Sequence, residues 1–113
     1  MQFHVTLAGE VYVVGGDFGW NVPSNPKFYT LWSLRKRFKI TDVLWFNFTS
    51  TGKDSVAVVK EEAYHSCDIK DPVRLIPGGP DRYTLMTPGS HFLICTKLNH
   101  CKLGQKFIAN VSP

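Results

Sequence analysis

The chain has 113 residues, of which 43% are hydrophobic and 13% aromatic. This length and composition predict one folded domain with a modest core and exclude a disordered protein. The net charge is +4, and basic residues cluster between Arg35 and Lys39. No nucleic-acid-binding motif accompanies that cluster, so we interpret it as a solvated helix face and expect no nucleic-acid partner.

Short runs of apolar residues separated by glycine and proline predict a chain that is mostly β. The spacing of apolar residues over 28–38 favours a short amphipathic helix, although a strand is possible in its last half, and residues 61–64 predict a helical turn. About seven strands with little helix predict an all-β fold, a two-sheet Greek-key β-sandwich with one or two short helices. The predicted strands cover residues 11–14, 42–49, 55–59, 73–76, 82–86, 91–95 and 106–111.

The predicted strand 42–49 alternates between two faces and ends in an N-glycosylation sequon at Asn47. A glycan on Asn47 must point to solvent. We therefore expect Leu44, Phe46 and Phe48, on the opposite face, to enter the core, and Trp45 to lie near the surface.

Three cysteines indicate one disulfide and one thiol with another role. Because Cys95 is the best metal ligand of the three, the predicted disulfide joins Cys67 to Cys101. It would close a loop of about 35 residues and contribute about 4 kcal/mol. A disulfide and a sequon together predict a secreted, extracellular protein.

No run of residues reaches the length of a membrane span, so we expect no transmembrane segment. Residues 1–9 are interpreted as a signal-peptide remnant, an artificial start or a leading strand. Residues 10–113 form the predicted domain.

The chemistry of the chain is concentrated in residues 95–105, where Cys95, His100 and Gln105 follow one another at spacings of five. A soft thiolate, an imidazole and a weak third donor are typical of a small copper site. One predicted strand enters this segment and another leaves it, with Gly104 at the bend. Cys95 and His100 can therefore converge on one metal ion.

These residues give the chain a resemblance to the phytocyanins, the plant-specific branch of the cupredoxins. The resemblance implies a cupredoxin-like sandwich whose copper is bound by two histidines, a cysteine and an axial methionine or glutamine. Cys95, His100 and Gln105 match three of these positions, whereas Asp54 stands where the first histidine is expected. Early nodulin-like proteins, a copper-free branch, also lose ligands. The segments that carry the resemblance are residues 14–20, 31–32, 42–48, 64–67 and 95–105.

A carboxylate at position 54 is a hard donor that suits copper poorly beside a thiolate. We therefore predict a degenerate type 1 site with no cofactor, or with weakly bound Cu(II) or Zn(II), in a monomeric extracellular plant protein. The chain is similar to a small basic pollen allergen of this family, which implies IgE as a partner. No catalytic set of side chains is recognisable, so an enzyme is not expected.

Three alternatives stay open. The chain can be a blue-copper electron-transfer protein that uses Cys95, His100 and Gln105, with Asp54 or water as the fourth ligand. It can be an extracellular module that binds a glycan or a protein at an unfilled cleft. The retained residues can also be inherited from a copper-binding ancestor without a present metal function. Cys95 would then be a buried hydrophobe, His100 an exposed loop residue and Gln105 an ordinary loop amide. The other histidines, His4, His65 and His91, are expected at the surface or at a boundary.

Overall fold

A computed structural model describes residues 9–49 and 51–113. In these residues eight strands form two sheets, accompanied by helices α1 (Phe28–Leu34) and α2 (Glu61–Ser66). The smaller sheet has the order β1 (Val11–Val13), β3 (Val43–Phe46), β6 (Asp81–Thr84). The larger has the order β2 (Phe38–Lys39), β8 (Lys106–Ser112), β7 (Gly89–Ile94), β4 (Val56–Val59), β5 (Arg74–Ile76).

Neighbouring strands are often far apart in sequence, so the chain crosses repeatedly between the two sheets. β1 pairs with β3 and β2 pairs with β8 in parallel, and the remaining pairs are antiparallel. The predicted all-β sandwich is confirmed, and the strands lie where they were predicted apart from their ends. None of the described helices has the length and apolar character that a membrane crossing requires.

One strand more is present than the seven predicted, because the helix favoured over 28–38 ends at Leu34 and the strand left open as the alternative for the last half of this segment is present at its end. Phe38 instead starts β2, which pairs with β8. Its side chain is 1% exposed and meets Tyr12 edge-on, with ring centroids 5.1 Å apart. Packing of this aromatic ring into the core overrides the local helical spacing.

The core is aromatic and lies between the sheets. Leu44, Phe46 and Phe48 are buried on one face of β3 and its extension, as predicted, while Trp45 is partly buried and Asn47 is exposed. Glycosylation of Asn47 stays a prediction. The centre of the core is Trp20, which is fully buried; its ring centroid lies 5.0 Å from those of Tyr29 and Phe46 and 6.1 Å from that of Phe107.

Tyr29 connects α1 to the loop that carries Trp20. Its hydroxyl donates a hydrogen bond to the Gly19 carbonyl and accepts one from the Asn21 N–H at 2.9 Å. Burial of the ring raises the pKa of Tyr29, since a phenolate would lose its hydration there. The hydroxyl is therefore a structural polar group inside an apolar core.

The disulfide joins Cys67, at the end of α2, to Cys101, in the loop between β7 and β8. The two cysteines are 34 residues apart in sequence. Cys95 is the free thiol, and it is buried. The pairing is the one that the sequence predicted.

The histidines differ in their surroundings. His91 is 8% exposed, so the expectation of a surface or boundary residue is wrong. Its burial is possible because Nδ1 lies 2.8 Å from the Tyr83 hydroxyl and Nε2 lies 2.8 Å from the Thr87 carbonyl. His65 is exposed near Glu61, as expected, and His4 lies outside the described residues.

Replacing both Cys67 and Cys101 with serine should lower the free energy of unfolding by about 4 kcal/mol, because the unfolded chain regains the freedom of a long closed loop. Urea denaturation of the variant and of the wild-type protein measures the difference. Cys95→Ser is the control, since its thiol takes part in no disulfide. A loss below about 1 kcal/mol in the double variant would contradict the prediction.

Tyr29→Phe should cost about 1–3 kcal/mol, because the Gly19 carbonyl and the Asn21 N–H both lose a buried partner. The pKa of Tyr29 is raised in the folded state, so its contribution to stability is present below about pH 10 and is lost as the pH rises above that value. The wild-type protein should therefore lose stability more steeply than the variant in alkaline solution. Urea midpoints at neutral and alkaline pH test both effects. Parallel pH profiles for wild type and Tyr29→Phe would contradict the prediction.

Candidate metal centre

Three neighbouring strands of the larger sheet, β4, β7 and β8, bring the predicted ligands together at one end of the strands. Asp54 lies just before β4, Cys95 just after β7 and Gln105 just before β8. Ile94, at the end of β7, is paired with Ala57 on one side and with Lys106 on the other. Antiparallel pairing therefore places the three residues side by side, and the loop after β7 adds His100.

The donor atoms of these residues lie close together. The distances are 3.4 Å from Asp54 Oδ1 to His100 Nδ1, 3.5 Å from Cys95 Sγ to His100 Nδ1, and 4.0 Å from Cys95 Sγ to Asp54 Oδ1. Gln105 Nε2 donates a hydrogen bond to Asp54 Oδ1 at 3.1 Å. The exposed fractions of Asp54, Cys95, His100 and Gln105 are 5%, 1%, 9% and 0%. The expectations of an exposed His100 and an ordinary loop amide at Gln105 are therefore wrong.

The loop that holds His100 and Gln105 is fixed by its own backbone. The Cys95 N–H donates to the Gln105 carbonyl, and the Gln105 N–H donates to the His100 carbonyl, both at 3.0 Å. Gly104 has φ +106°, and a Cβ there would lie 2.5 Å from the Pro26 carbonyl oxygen. Only glycine allows this turn and this approach, which together set the direction of Gln105. The disulfide at Cys101 holds the residue next to His100.

A second set of contacts joins the strands beside the donors. Ser55, which follows Asp54, accepts a hydrogen bond from the N–H of Thr96, which follows Cys95, at 3.0 Å. The indole N–H of Trp20 donates to the Ser55 carbonyl at 2.8 Å. Sequence reasoning missed these three residues. The one available signal was that a buried indole needs a hydrogen-bond acceptor.

Burial controls the electrostatics of the thiol. Loss of hydration raises the pKa of Cys95, and the negative charge of Asp54 acts in the same direction, while hydrogen bonds from the backbone around Lys97 and Ser55 oppose it. Without a metal ion, Cys95 is therefore a protonated and unreactive thiol. Gln105 Oε1 is buried and finds no hydrogen-bond partner in the described part of the chain. It is an acceptor available to a ligand.

The geometry of the donors fits a transition-metal ion. A point equidistant from the Asp54, Cys95 and His100 donor atoms lies about 2.1 Å from each, as their three separations require. Zinc binds nitrogen and oxygen donors at about 2.0–2.2 Å and sulfur at about 2.3 Å. Among the described residues, Asp54, Cys95 and His100 form the group of histidine, cysteine and acidic side chains whose donor atoms lie close enough together to hold a metal ion. His65 and His91 do not belong to it.

The chemistry of the donors fits some ions better than others. Thiolate, imidazole and carboxylate are all zinc ligands. Cys95, His100 and Gln105 also suit copper, but the hard carboxylate of Asp54 does not suit Cu(I). The residues present therefore fit a divalent ion and depart from a copper centre at one position.

Comparison with known proteins shows the family. The family model of the plastocyanin-like domain matches residues 20–105. Pollen allergen Amb a 3 of Ambrosia artemisiifolia var. elatior is 65% identical over 106 residues, which cover 91% of this chain and 97% of the allergen. The blue copper protein of Arabidopsis thaliana is 38% identical over 95% of this chain. Early nodulin-like protein 3 of the same plant is 37% identical over 91% of this chain. The chain spans about half the length of these two Arabidopsis proteins, 54% and 51% respectively.

The fold is similar to that of solved copper proteins. Cucumber stellacyanin, in a structure with Cu2+, superposes with a TM-score of 0.84 at 32% identity and covers 94% of this chain and 97% of its own. Cucumber basic protein, a blue copper protein, gives a TM-score of 0.76 at 31% identity and covers 89% and 98%. These similarities agree with the sheet order and with the ligand loop. The chain therefore belongs to the plastocyanin-like family, as a member of its phytocyanin branch.

Proposed function

We propose that this chain is an extracellular plant phytocyanin with a degenerate type 1 site, and that it does not carry electrons. The observation that supports this proposal is the position of the Asp54 carboxylate. It lies 3.4 Å from the imidazole of His100 and accepts a hydrogen bond from Gln105. Asp54 thus takes the place that the family resemblance gives to the first histidine.

The charge of the site favours one oxidation state. A thiolate at Cys95 and a carboxylate at Asp54 carry two negative charges, which a divalent ion neutralises and a monovalent ion does not. An uncompensated charge in a buried site costs several kcal/mol. A site with two histidines and one thiolate would differ, because Cu(I) would leave it neutral. The Asp54 site therefore disfavours reduction and suits an ion that stays divalent, such as Zn(II).

The secreted and allergenic parts of the proposal have other support. The disulfide between Cys67 and Cys101 is typical of an oxidising compartment. Asn47 is exposed, so its sequon is accessible to glycosylation. The similarity to a pollen allergen over nearly the whole chain supports IgE binding. The buried, protonated thiol of Cys95 argues against a catalytic nucleophile, which agrees with a protein that is not an enzyme.

A second candidate function is electron transfer by copper. It is favoured by the retention of Cys95, His100 and Gln105 and by the unpartnered Gln105 Oε1, which is available as an axial oxygen donor. Asp54 or water would complete the ligand set. The two candidates differ in how the site behaves with copper and with zinc.

Asp54→His should create a blue-copper site, because it supplies the second imidazole beside a retained cysteine. Titration of the purified protein with Cu(II) should give the variant an intense visible thiolate-to-copper band at one copper per chain. The wild-type protein should stay without this band. Asp17→His, which adds a histidine at an exposed position, is the control. An intense band in the wild-type protein would support the electron-transfer candidate, and a colourless variant with stoichiometric copper would refute the assignment of Asp54.

Wild-type protein should bind Zn(II) at one ion per chain, and Asp54→Asn should weaken this binding at least about tenfold, because the amide keeps the shape of the side chain but removes the charged donor. Competition with a zinc-binding dye measures both affinities. Asp71→Asn is the matched control, since Asp71 is exposed and distant in sequence from the ligand loop. Equal affinities for wild type and Asp54→Asn would show that the carboxylate is not a zinc ligand.

A further inference from the structure

A groove beside α1 is separate from the metal centre. Its volume is about 300 Å³. None of the four predicted metal ligands lines it. The lining residues are Asn25, Phe28, Leu31, Trp32, Arg35 and Lys36.

The apolar wall of the groove is held rigidly but left open to solvent. The ring centroid of Trp32 lies 5.6 Å from that of Phe107 and 6.1 Å from that of Phe38, so one side of the indole is anchored in the core. Leu31, which lines the groove, is 48% exposed. The face of α1 at the groove therefore combines a fixed aromatic ring with a leucine side chain that the rest of the described chain leaves about half uncovered.

Positive charge borders this apolar surface. Arg35, Lys36, Arg37 and Lys39 lie within five residues, and no carboxylate of the described residues forms an ion pair with any of them. The nearby Asp42 is 1% exposed, and its two oxygens accept hydrogen bonds from the N–H groups of Glu10 and Lys39. Its charge is thus used inside the protein, and the field of the four cations reaches solvent.

Lys36 links the two parts of the surface. Its Nζ lies 5.4 Å from the centroid of the Trp32 ring, so a cation stands over the exposed side of the indole. A solvated helix face, as expected from the sequence, would need neither an anchored indole nor an exposed leucine beside it. The combination points to a ligand that is anionic and also has apolar faces.

We propose that this groove binds an acidic oligosaccharide, a chain of pyranose rings that carry carboxylates. The C–H face of a pyranose can pack against Phe28 and Leu31, next to the Trp32 ring that Lys36 covers. Its carboxylate can pair with Arg35 or Lys36 through charge-assisted hydrogen bonds. Two cations, Arg35 and Lys36, line the groove, so two carboxylates of one polymer can be paired there. This proposal does not depend on the metal centre, and Asp54→His should leave it unaffected.

The test is calorimetric titration of the whole chain with a defined oligogalacturonate. The variant Arg35→Glu/Lys36→Glu should weaken binding at least about tenfold, as expected for the loss of hydrogen bonds between charged groups. The control Lys53→Glu/Lys70→Glu changes the net charge by the same amount at two other exposed cations and should change the affinity less than about twofold. A methyl-esterified oligogalacturonate, which keeps the rings and lacks the charge, should not bind measurably. Leu31→Ser, at an exposed position, should weaken binding without unfolding the protein.

Several results would overturn the proposal. Equal losses in the two double variants would mean that binding reflects net charge and not the groove. Equal binding of the esterified oligosaccharide would remove the role of the carboxylates. Binding to phosphatidylserine vesicles but not to oligogalacturonate would make the surface a membrane-contacting face. Absence of binding to oligogalacturonate at millimolar concentration would refute the site directly.

Discussion

A buried carboxylate sets the character of this protein. Asp54 is almost completely removed from water, and an ionised group in such a place needs compensation worth several kcal/mol. The amide of Gln105 supplies a hydrogen bond, the imidazole of His100 lies next to the same oxygen, and the thiol of Cys95 completes the surroundings. The four side chains thus act as one polar unit inside an otherwise aromatic interior. A bound cation can balance the negative charge of this unit.

The scaffold around the unit is built to resist rearrangement. Trp20 fills the centre of the core and hydrogen-bonds the carbonyl of Ser55, so the start of β4 is tied to the core. Ser55 in turn bonds the backbone of Thr96 across to the next strand. These contacts fix the start of β4 and the end of β7, where two of the donors are attached. Preorganisation of this kind holds a site in shape whether or not an ion is bound.

Much of the fold and of the candidate site could be predicted from the sequence, since both depend on local patterns. The alternation of β3, together with the sequon at Asn47, identified Leu44 and Phe46 as core residues. The odd cysteine count, with Cys95 set aside as a metal ligand, led to the pairing of the other two cysteines. The spacing of Cys95, His100 and Gln105 placed the ligand loop, and the family resemblance added Asp54. These four residues do come together, although their role as metal ligands stays a prediction.

What could not be predicted depends on contacts between distant parts of the chain. The burial of His91 requires Tyr83 and Thr87, which no local pattern identifies as its hydrogen-bond partners. The sequence left helix and strand open near Phe38, and the burial of this ring in the core decides for a strand. The groove on α1 could not be predicted for the same reason. The basic run does not indicate that the nearby indole of Trp32 packs against Phe107 in the core.

The approach of Gly104 to Pro26 has a mechanical consequence. The two backbones meet with no room for even one carbon atom between them, so the contact has no slack. The loop between β7 and β8 therefore packs directly on the backbone of Pro26, which lies two residues before the start of α1. Any side chain at position 104 would have to displace either the segment that carries Gln105 or the segment that leads into the helix of Trp32.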